Sequence, residues 1–467
     1  MDGCGSFGGQ NFGRVNLGDR RRTRRLVQLA DALARHPGGT LPDKLHHPPD
    51  LRAFYRLMDR PELTHAVVMQ GHTDATRRRI AELPAGTVVL RVHDATELDY
   101  TSKTSLRDAL GQIGQGAQRG YICHNSLAVR ADSGATLGLT AQILHHRADV
   151  PDREGIKASR ERSDRESRLW IQGVIASGPA PDHVRCIDVS DSLSDTFEYI
   201  AHQARTGGRF VLRARENRKL VRPVGGRRYL FDAARRLPAR LTGTVEVRGG
   251  NRVARTAAIQ IAFAPVTLAV PRKHLGEYVK VPVPVWVVRV WEPQPPPGED
   301  PLEWVLLTNM AVTDAAAARE RVGWYERRPV VEEYHKGMKT GCAIEAMQFE
   351  TTARLEPAIA VISAVTTQLL RLRDAARTAD AETRPATDIL DAEYVDVLRA
   401  HYGSRLGPTP SVRRFLLHLA RLGGHQNRKN DGLPGWITLW RGWTRLQSMV
   451  DGHRAALRRV PPRSGKT

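Results

Sequence analysis

Cysteine is scarce in this chain: of 467 residues only four are cysteine, Cys4, Cys123, Cys186 and Cys342, with no Cys-x-x-Cys among them. A chain this long builds a core without covalent staples, so all four are read as reduced thiols. Aromatic residues are thin at 6 %. Long apolar runs are missing too, since stretches such as 358–365 and 281–288 stop well short of the ~18 residues that cross a bilayer. The first residues carry no charged segment leading into an apolar one, which is how a secretory leader reads. A soluble, cytoplasmic protein with no membrane partner is the expectation. His46/His47 and His145/His146 lack a partner at helical spacing of four, so they are not read as zinc ligands. No internal repeat is present.

What the chain does have is positive charge. Lys plus Arg number 71 against 50 Asp plus Glu, a formal net charge of +21, while 41 % of residues are apolar. That much apolar content excludes a disordered polycation and leaves a folded binder of polyanions. The length suggests about three domains. The first, residues 1–75, is expected to be helical and DNA-binding. Its basic run Arg20 to Arg25 continues into Leu26, Leu29 and Leu33 at helical spacing, opened by Asn16-Leu-Gly-Asp19 and stopped by Gly38-Gly39. A second helix over Leu51 to Leu57 carries Arg52, Arg56 and Arg60 four apart.

From residue 76 the pattern alternates. Thr87 to Val92 reads as a strand closed by His93-Asp94, followed by strands at Ser126 to Val129 and Thr136 to Leu144. A helix at Trp170 to Ile175, a strand at His183 to Val189, a helix around Thr196 to Ala204 and a strand at Arg209 to Ala214 complete a mixed sheet with helices on both faces. Between about 219 and 300 strands alone are expected: a β insertion at Thr244 to Arg248, Ala257 to Phe263 and Val285 to Val290, punctuated by Gly249-Gly250. A strand at Trp304 to Leu307 resumes the α/β region, which runs to 374, and residues 375–467 read as a helical C-terminal region with Trp436, Trp440 and Trp443 on one helix face.

The informative segment is Tyr325 to Lys339. At about 100° per residue, Tyr325, Arg328, Glu332, Lys336 and Lys339 share one stripe if the segment is a single helix. One carboxylate among cations and a phenol makes a poor core face and a good grip on phosphates around a metal ligand. Mg²⁺ takes oxygen ligands, and phosphodiester chemistry usually uses two ions. Further carboxylates are therefore sought at the carboxyl ends of strands, where ligands gather: Asp94 after the first strand, and Asp191 after the fourth, with Asp188 the leading substitute. Each also has a plain reading as a turn or helix-capping residue.

These residues resemble the DDE transposases of the insertion-sequence-four family, nearly end to end. Leu17-Gly-Asp-Arg-Arg-Arg-Thr-Arg-Arg-Leu26 resembles the family's DNA-binding motif, His93-Asp94-Ala-Thr96 its first aspartate block and Val189-Ser-Asp191-Ser-Leu-Ser-Asp195 its second, which favours Asp191 over Asp188. The family's Tyr, Arg, Glu, Lys signature falls on Tyr325, Arg328, Glu332 and Lys339, and Leu419 to Gly424 with Trp436 to Gln447 resembles its dimerisation region. The resemblance implies an RNase-H-like mixed five-stranded sheet, a cut-and-paste transposase acting on transposon ends and target DNA, and a homodimer in the synaptic complex in the bacterial nucleoid. Asp94, Asp191 and Glu332 would hold two Mg²⁺ or Mn²⁺ ions. It further implies that Trp304 stacks on a base flipped from the transposon end and that Arg213 contacts DNA near a hairpin intermediate. Pro329 departs from the pattern, standing where one member has an aromatic residue; it disfavours helix at Arg328, so Tyr325 and Arg328 fall before the helix that carries Glu332. A catalytically inactive DNA-binding inhibitor and a structure-specific nuclease are the competing readings.

Overall fold

Polar starters cap the first helices. The Ser6 hydroxyl accepts from Gly9 N to open α1 (Phe7–Phe12), and the Asp19 carboxylate accepts from Arg21 N to open α2 (Arg20–Arg35). α2 buries Leu26, Leu29 and Leu33 and leaves its arginine face outward. Short α3 (Leu41–Lys44), α4 (Pro48–Met58), which starts on proline, and α5 (His65–Ala81) follow. The computed structural model describes residues 5–114, 116–149, 162, 165–247, 255–271, 281–428 and 432–459. Cys4, Arg248 and the Gly249-Gly250 turn lie outside the described residues.

The strands β1 (Val88–Asp99), β2 (Gly111–Gln112), β3 (Arg119–Arg130) and β4 (Thr136–His145) come next, then α6 (Leu169–Ser177), β5 (Arg185–Ser190), α7 (Phe197–Thr206) and β6 (Phe210–Arg213). Their spatial order is β4-β3-β1-β5-β6, with β2 also on β3. β1 runs antiparallel to β3 and parallel to β5, and β5 parallel to β6. One expectation is corrected here: β1 does not end at His93-Asp94 but continues to Asp99, and Asp94 sits mid-strand opposite Asn125. The polar run after Val92 reads as a turn in the sequence, yet β3 pairs with it along its whole length and supplies the backbone hydrogen bonds.

A second correction concerns the insertion. The insertion strands β7 (Lys219–Val224), β8 (Arg227–Tyr229), β9 (Leu241–Val247), β10 (Arg255–Leu268) and β11 (Val283–Trp291) extend the sheet through β12 (Glu303–Thr308), the strand that follows them, so the sheet is larger than the five strands expected. β12 pairs antiparallel with β6, Leu306 opposite Arg213, and the order continues β12-β11-β10 to give one twelve-stranded mixed sheet. That pairing covers the edge β6 would otherwise expose. Strands alone were expected here, but α8 (Leu230–Arg236) also lies between β8 and β9.

Alternate side chains of the sheet enter different cores. Val211, Val288, Val290 and Leu306 point into the large core that also takes in the buried residues of α1, α2, α4 and α5, while Phe210, Leu212, Val287 and Leu307 join α6, α7 and α8 on the other face. The chain then forms α9 (Ala315–Glu326), α10 (Val330–Lys336) and α11 (Thr352–Ala375). α11 is long and apolar enough to span a bilayer by composition, yet 78 % of its apolar window is buried inside this fold, so it is a core helix.

A separate apolar cluster unites α12 (Ala392–Tyr402), α13 (Val412–Leu422) and α14 (Trp436–Arg459). The tryptophans of α14 pack within the chain: Trp443 Nε1 donates to Arg35 O at 3.2 Å, and a Cβ on Gly38 would come within 2.6 Å of the Trp440 ring. α13 and α14 cross at two glycines, where a Cβ on Gly442 would lie 1.9 Å from the Leu419 carbonyl oxygen. Backbone cannot yield as a flexible side chain can, so Gly442→Ala is expected to force the helices apart at a cost of about 2–3 kcal/mol. Thermal unfolding followed by circular dichroism checks this; an unchanged midpoint would show that the crossing relaxes freely.

Candidate active site

The parallel ladder between β1 and β5 ends at His93 opposite Ser190, so Asp94 and Asp191 are the next residues on adjacent strands. Asp191 leaves the sheet as the cap of a 3₁₀ turn, Ser192–Ser194, and its carboxylate accepts from Leu193 N at 3.0 Å. Its neighbours are occupied elsewhere. Asp188 is fully buried and accepts from Arg91 and from Gln203 at 2.8 Å, with His93 Nε2 also at 2.8 Å. Burial opposes its charge, but Arg91 and His93 hold its carboxyl well below the usual range. Asp195 accepts from Arg215 N, Glu216 N and the Arg218 guanidinium. Asp191 is thus the acid of this group that faces Asp94 and Glu332.

The signature does not form one continuous helix. α9 ends at Glu326, and Arg328 N closes a turn on Tyr325 O at 2.9 Å before α10 begins after Pro329. The stripe expected over Tyr325 to Lys339 is therefore broken, because proline disfavours helix in the residue before it. The break sends the Arg328 side chain between two acids. Its Nη1 lies 3.3 Å from Asp94 Oδ2, and its Nη2 donates to Glu332 Oε1. After α10 the chain widens into a π-helical turn, Gly337–Gly341; Lys339 pairs with Glu345 Oε1 at 3.3 Å, and Lys336 stays exposed on α10.

Electrostatics ties the acids together. Burial pushes the Asp94 carboxyl up to about 6, with Asp191 and Glu332 adding to the rise and Arg328 opposing it. Burial also raises Asp191, again with Glu332 adding and Arg328 opposing. Three carboxylates share one guanidinium, an excess of negative charge that favours a cation. The donors are all oxygen, which suits a hard divalent ion. Among the described residues, the three carboxylates do not draw one oxygen each within 4.8 Å of one another.

Beside them opens a cleft of about 820 Å³ lined by Trp304, Trp324, Tyr325, Arg328, Glu332 and the β9 residues Thr244 to Val247. Trp304 and Tyr325 meet edge to face, their ring centroids 5.3 Å apart. Arg213 ends β6, and its guanidinium lies near the Tyr325 hydroxyl and donates to Glu303 O at 3.3 Å. Trp304, Tyr325, Arg328 and Glu332 thus line one cleft; Asp94 and Asp191 adjoin it through the charge of Arg328, Arg213 adjoins it through Tyr325, and neither lysine is among its lining residues.

Buried positioning residues beneath the acids went unread in the sequence. Asn125, opposite Asp94, donates from Nδ2 to His335 Nε2 at 3.1 Å and accepts from Gln142 Nε2 at 2.8 Å, and Gln142 also donates to Ser363 Oγ at 2.9 Å. This chain fastens α10 to β3, β4 and α11. Single polar residues scattered over the sequence carry no spacing that would reveal it.

The N-terminal helices present a second basic surface. Arg22 pairs with Glu62 and Arg25 with Asp50, whereas Arg14, Arg20 and Arg24 stay exposed along a groove of about 700 Å³ between α1 and α2. Residues 6–63, which span α1 to α4, match the family model described as Transposase DNA-binding. That match supports a transposase that binds DNA.

Proposed function

We propose that this chain is a cut-and-paste transposase of the insertion-sequence-four type, with an RNase-H-like catalytic core. The match of residues 6–63 supports DNA binding by a transposase, and the spatial order β4-β3-β1-β5-β6 is compatible with that fold. The observation that carries the catalytic reading is the convergence on one guanidinium of Asp94 in the middle of β1, Asp191 just past the end of β5 and Glu332 on a crossing helix. The proposed domains are residues 1–75 for end recognition, 76–374 for catalysis and 375–467 for pairing of two copies.

Asp94, Asp191 and Glu332 would hold two Mg²⁺ or Mn²⁺ ions, which supply activation of the attacking oxygen and stabilisation of the leaving oxygen. Arg328, now paired with Asp94 and Glu332, would neutralise the non-bridging oxygens of the scissile phosphate. Tyr325, buried against Trp304, offers its hydroxyl to the same backbone. Trp304 lines a cleft wide enough for a displaced base, where stacking contributes about 1–3 kcal/mol. Arg213, Lys336 and Lys339 rim the site and steer flanking phosphates. A base so displaced accompanies hairpin formation on the transposon end.

A supercoiled plasmid carrying the element's flanking inverted repeats tests this reading. With Mg²⁺ or Mn²⁺ the protein is expected to release the intervening segment and to insert it into a second plasmid. Binding without cleavage would make the chain a DNA-binding inhibitor, and cleavage of branched DNA without strand transfer would make it a nuclease.

A further inference from the structure

Two histidines and an aspartate meet where the ends of the fold touch. His36 caps the C-terminal end of α2, His46 lies in the link between α3 and α4, and Asp451 stands on α14. One ligand atom from each lies within 4.8 Å of the other two, the sole such trio among the described residues. His36 Nε2 is 3.3 Å from Asp451 Oδ2, and the two imidazole centroids are 4.5 Å apart at 74°. We propose that His36, His46 and Asp451 form a zinc site that clamps the DNA-binding helices to the C-terminal helix.

The geometry favours this class of ion. Zinc with nitrogen and oxygen ligands at about 2.0–2.1 Å in a tetrahedron holds neighbouring donor atoms about 3.3 Å apart, the separation His36 and Asp451 already have. Two imidazoles and one carboxylate are the borderline donors zinc selects, unlike the all-oxygen set around Asp94, and water completes the fourth position. Burial and the cations Arg35 and Arg454 disfavour a proton on His36 and so leave its ring neutral for a metal, while two neighbours are engaged elsewhere. Arg454, one turn along α14 from Asp451, is engaged by both Glu393 oxygens at 3.0 Å, and His47 turns away to Asp50 at 3.6 Å. Among the described residues no protein hydrogen bond holds the exposed His46 ring, which lies edge to face with the His36 ring. Spacing in the sequence excluded His46 as a ligand because its partners lie on other segments, Asp451 near the opposite end of the chain.

Metal-free full-length protein titrated with Co²⁺, which reports tetrahedral coordination by intense visible absorption, provides the test. One equivalent of such a band, displaced by Zn²⁺, is expected in the unmodified chain and in Glu332→Gln and His47→Ala. His46→Ala, an exposed change that leaves packing intact, and Asp451→Asn are each expected to weaken Zn²⁺ binding by about 100-fold. Absence of the band, or a band that survives both variants, would overturn the site. Because Glu332→Gln is scored in parallel, failure here is distinct from failure of the active-site reading.

Discussion

Glu332→Gln is expected to lower metal-dependent cleavage of end DNA by about 10³-fold or more while end binding stays within a few-fold of the unmodified protein. The amide is isosteric but neutral, so it cannot complete an oxygen cage for a divalent ion or stabilise charge that develops in the transition state. Glu332 has 47 % of its side chain exposed, so folding stability is expected to change by no more than about 0.5 kcal/mol. Asp94→Asn carries a sharper double signature. Asp94 is held, with 13 % of its side chain exposed, among carboxylates that repel it. Neutralising it is expected to abolish cleavage to the same degree while leaving stability unchanged or higher by about 1 kcal/mol, the trade-off of a site strained for function. Single-turnover cleavage and gel-shift binding on one end duplex, with thermal unfolding alongside, measure all three quantities. Cleavage by Asp94→Asn at the unmodified rate would remove that residue from the mechanism.

A drop from pH 7 to pH 5 is expected to cost several kcal/mol of folding stability. His72 is fully buried between α1 and β4: its Nδ1 bonds Asn11 Oδ1 at 2.8 Å, and its Nε2 accepts from Leu139 N at 3.1 Å. Burial holds its pKa down at about 3, and Arg79 on its own helix and Arg371 on α11 add to the depression. The unfolded chain regains a value near 6.5. Between those two values the unfolded state binds a proton the native state refuses, so stability is full above 6.5 and falls as pH drops. At pH 5 this amounts to about 2 kcal/mol for one such histidine. His335, likewise at about 3, and His124 and His65, lowered chiefly by burial, act in the same direction, and the raised carboxyls of Asp94 and Asp191 offset part of the loss. Urea unfolding at the two pH values measures the loss, and His72→Gln, which keeps a neutral polar group, is expected to remove roughly a quarter to a half of it. Equal stability at both pH values would show that these rings accept protons in the native state.

Local chemistry made the capped helices legible, above all α2, where Asp19, an arginine run and three leucines declare cap, surface and core in one line. Strand identities in the catalytic sheet were legible for the same reason, since β5 and β6 are short apolar runs between turn signals. The end of β1 was not, because partners on β3 rather than propensity sustain strand through His93-Asp94-Ala-Thr-Glu97. Joining of the insertion to the β6 edge was equally hidden, being a choice of neighbour and not of conformation. At the site, the spacing of Tyr325, Arg328 and Glu332 was visible, and Pro329 gave away the break. What no spacing disclosed was the direction of the Arg328 side chain, nor the Asn125, His335 and Gln142 network beneath it, since both depend on which strands lie side by side.

The single apolar core that runs from Phe12 through the sheet to Leu370 has a kinetic consequence. β1 can pair early with β3, but its other edge must wait for β5, and β6 for β12, which is synthesised after the whole insertion, so these two joints close large loops. Folding is therefore slow and late, with unpaired strand edges exposed meanwhile. Soluble yield in a host cell should consequently rise when synthesis is slowed by cooling and when holdase chaperones are abundant.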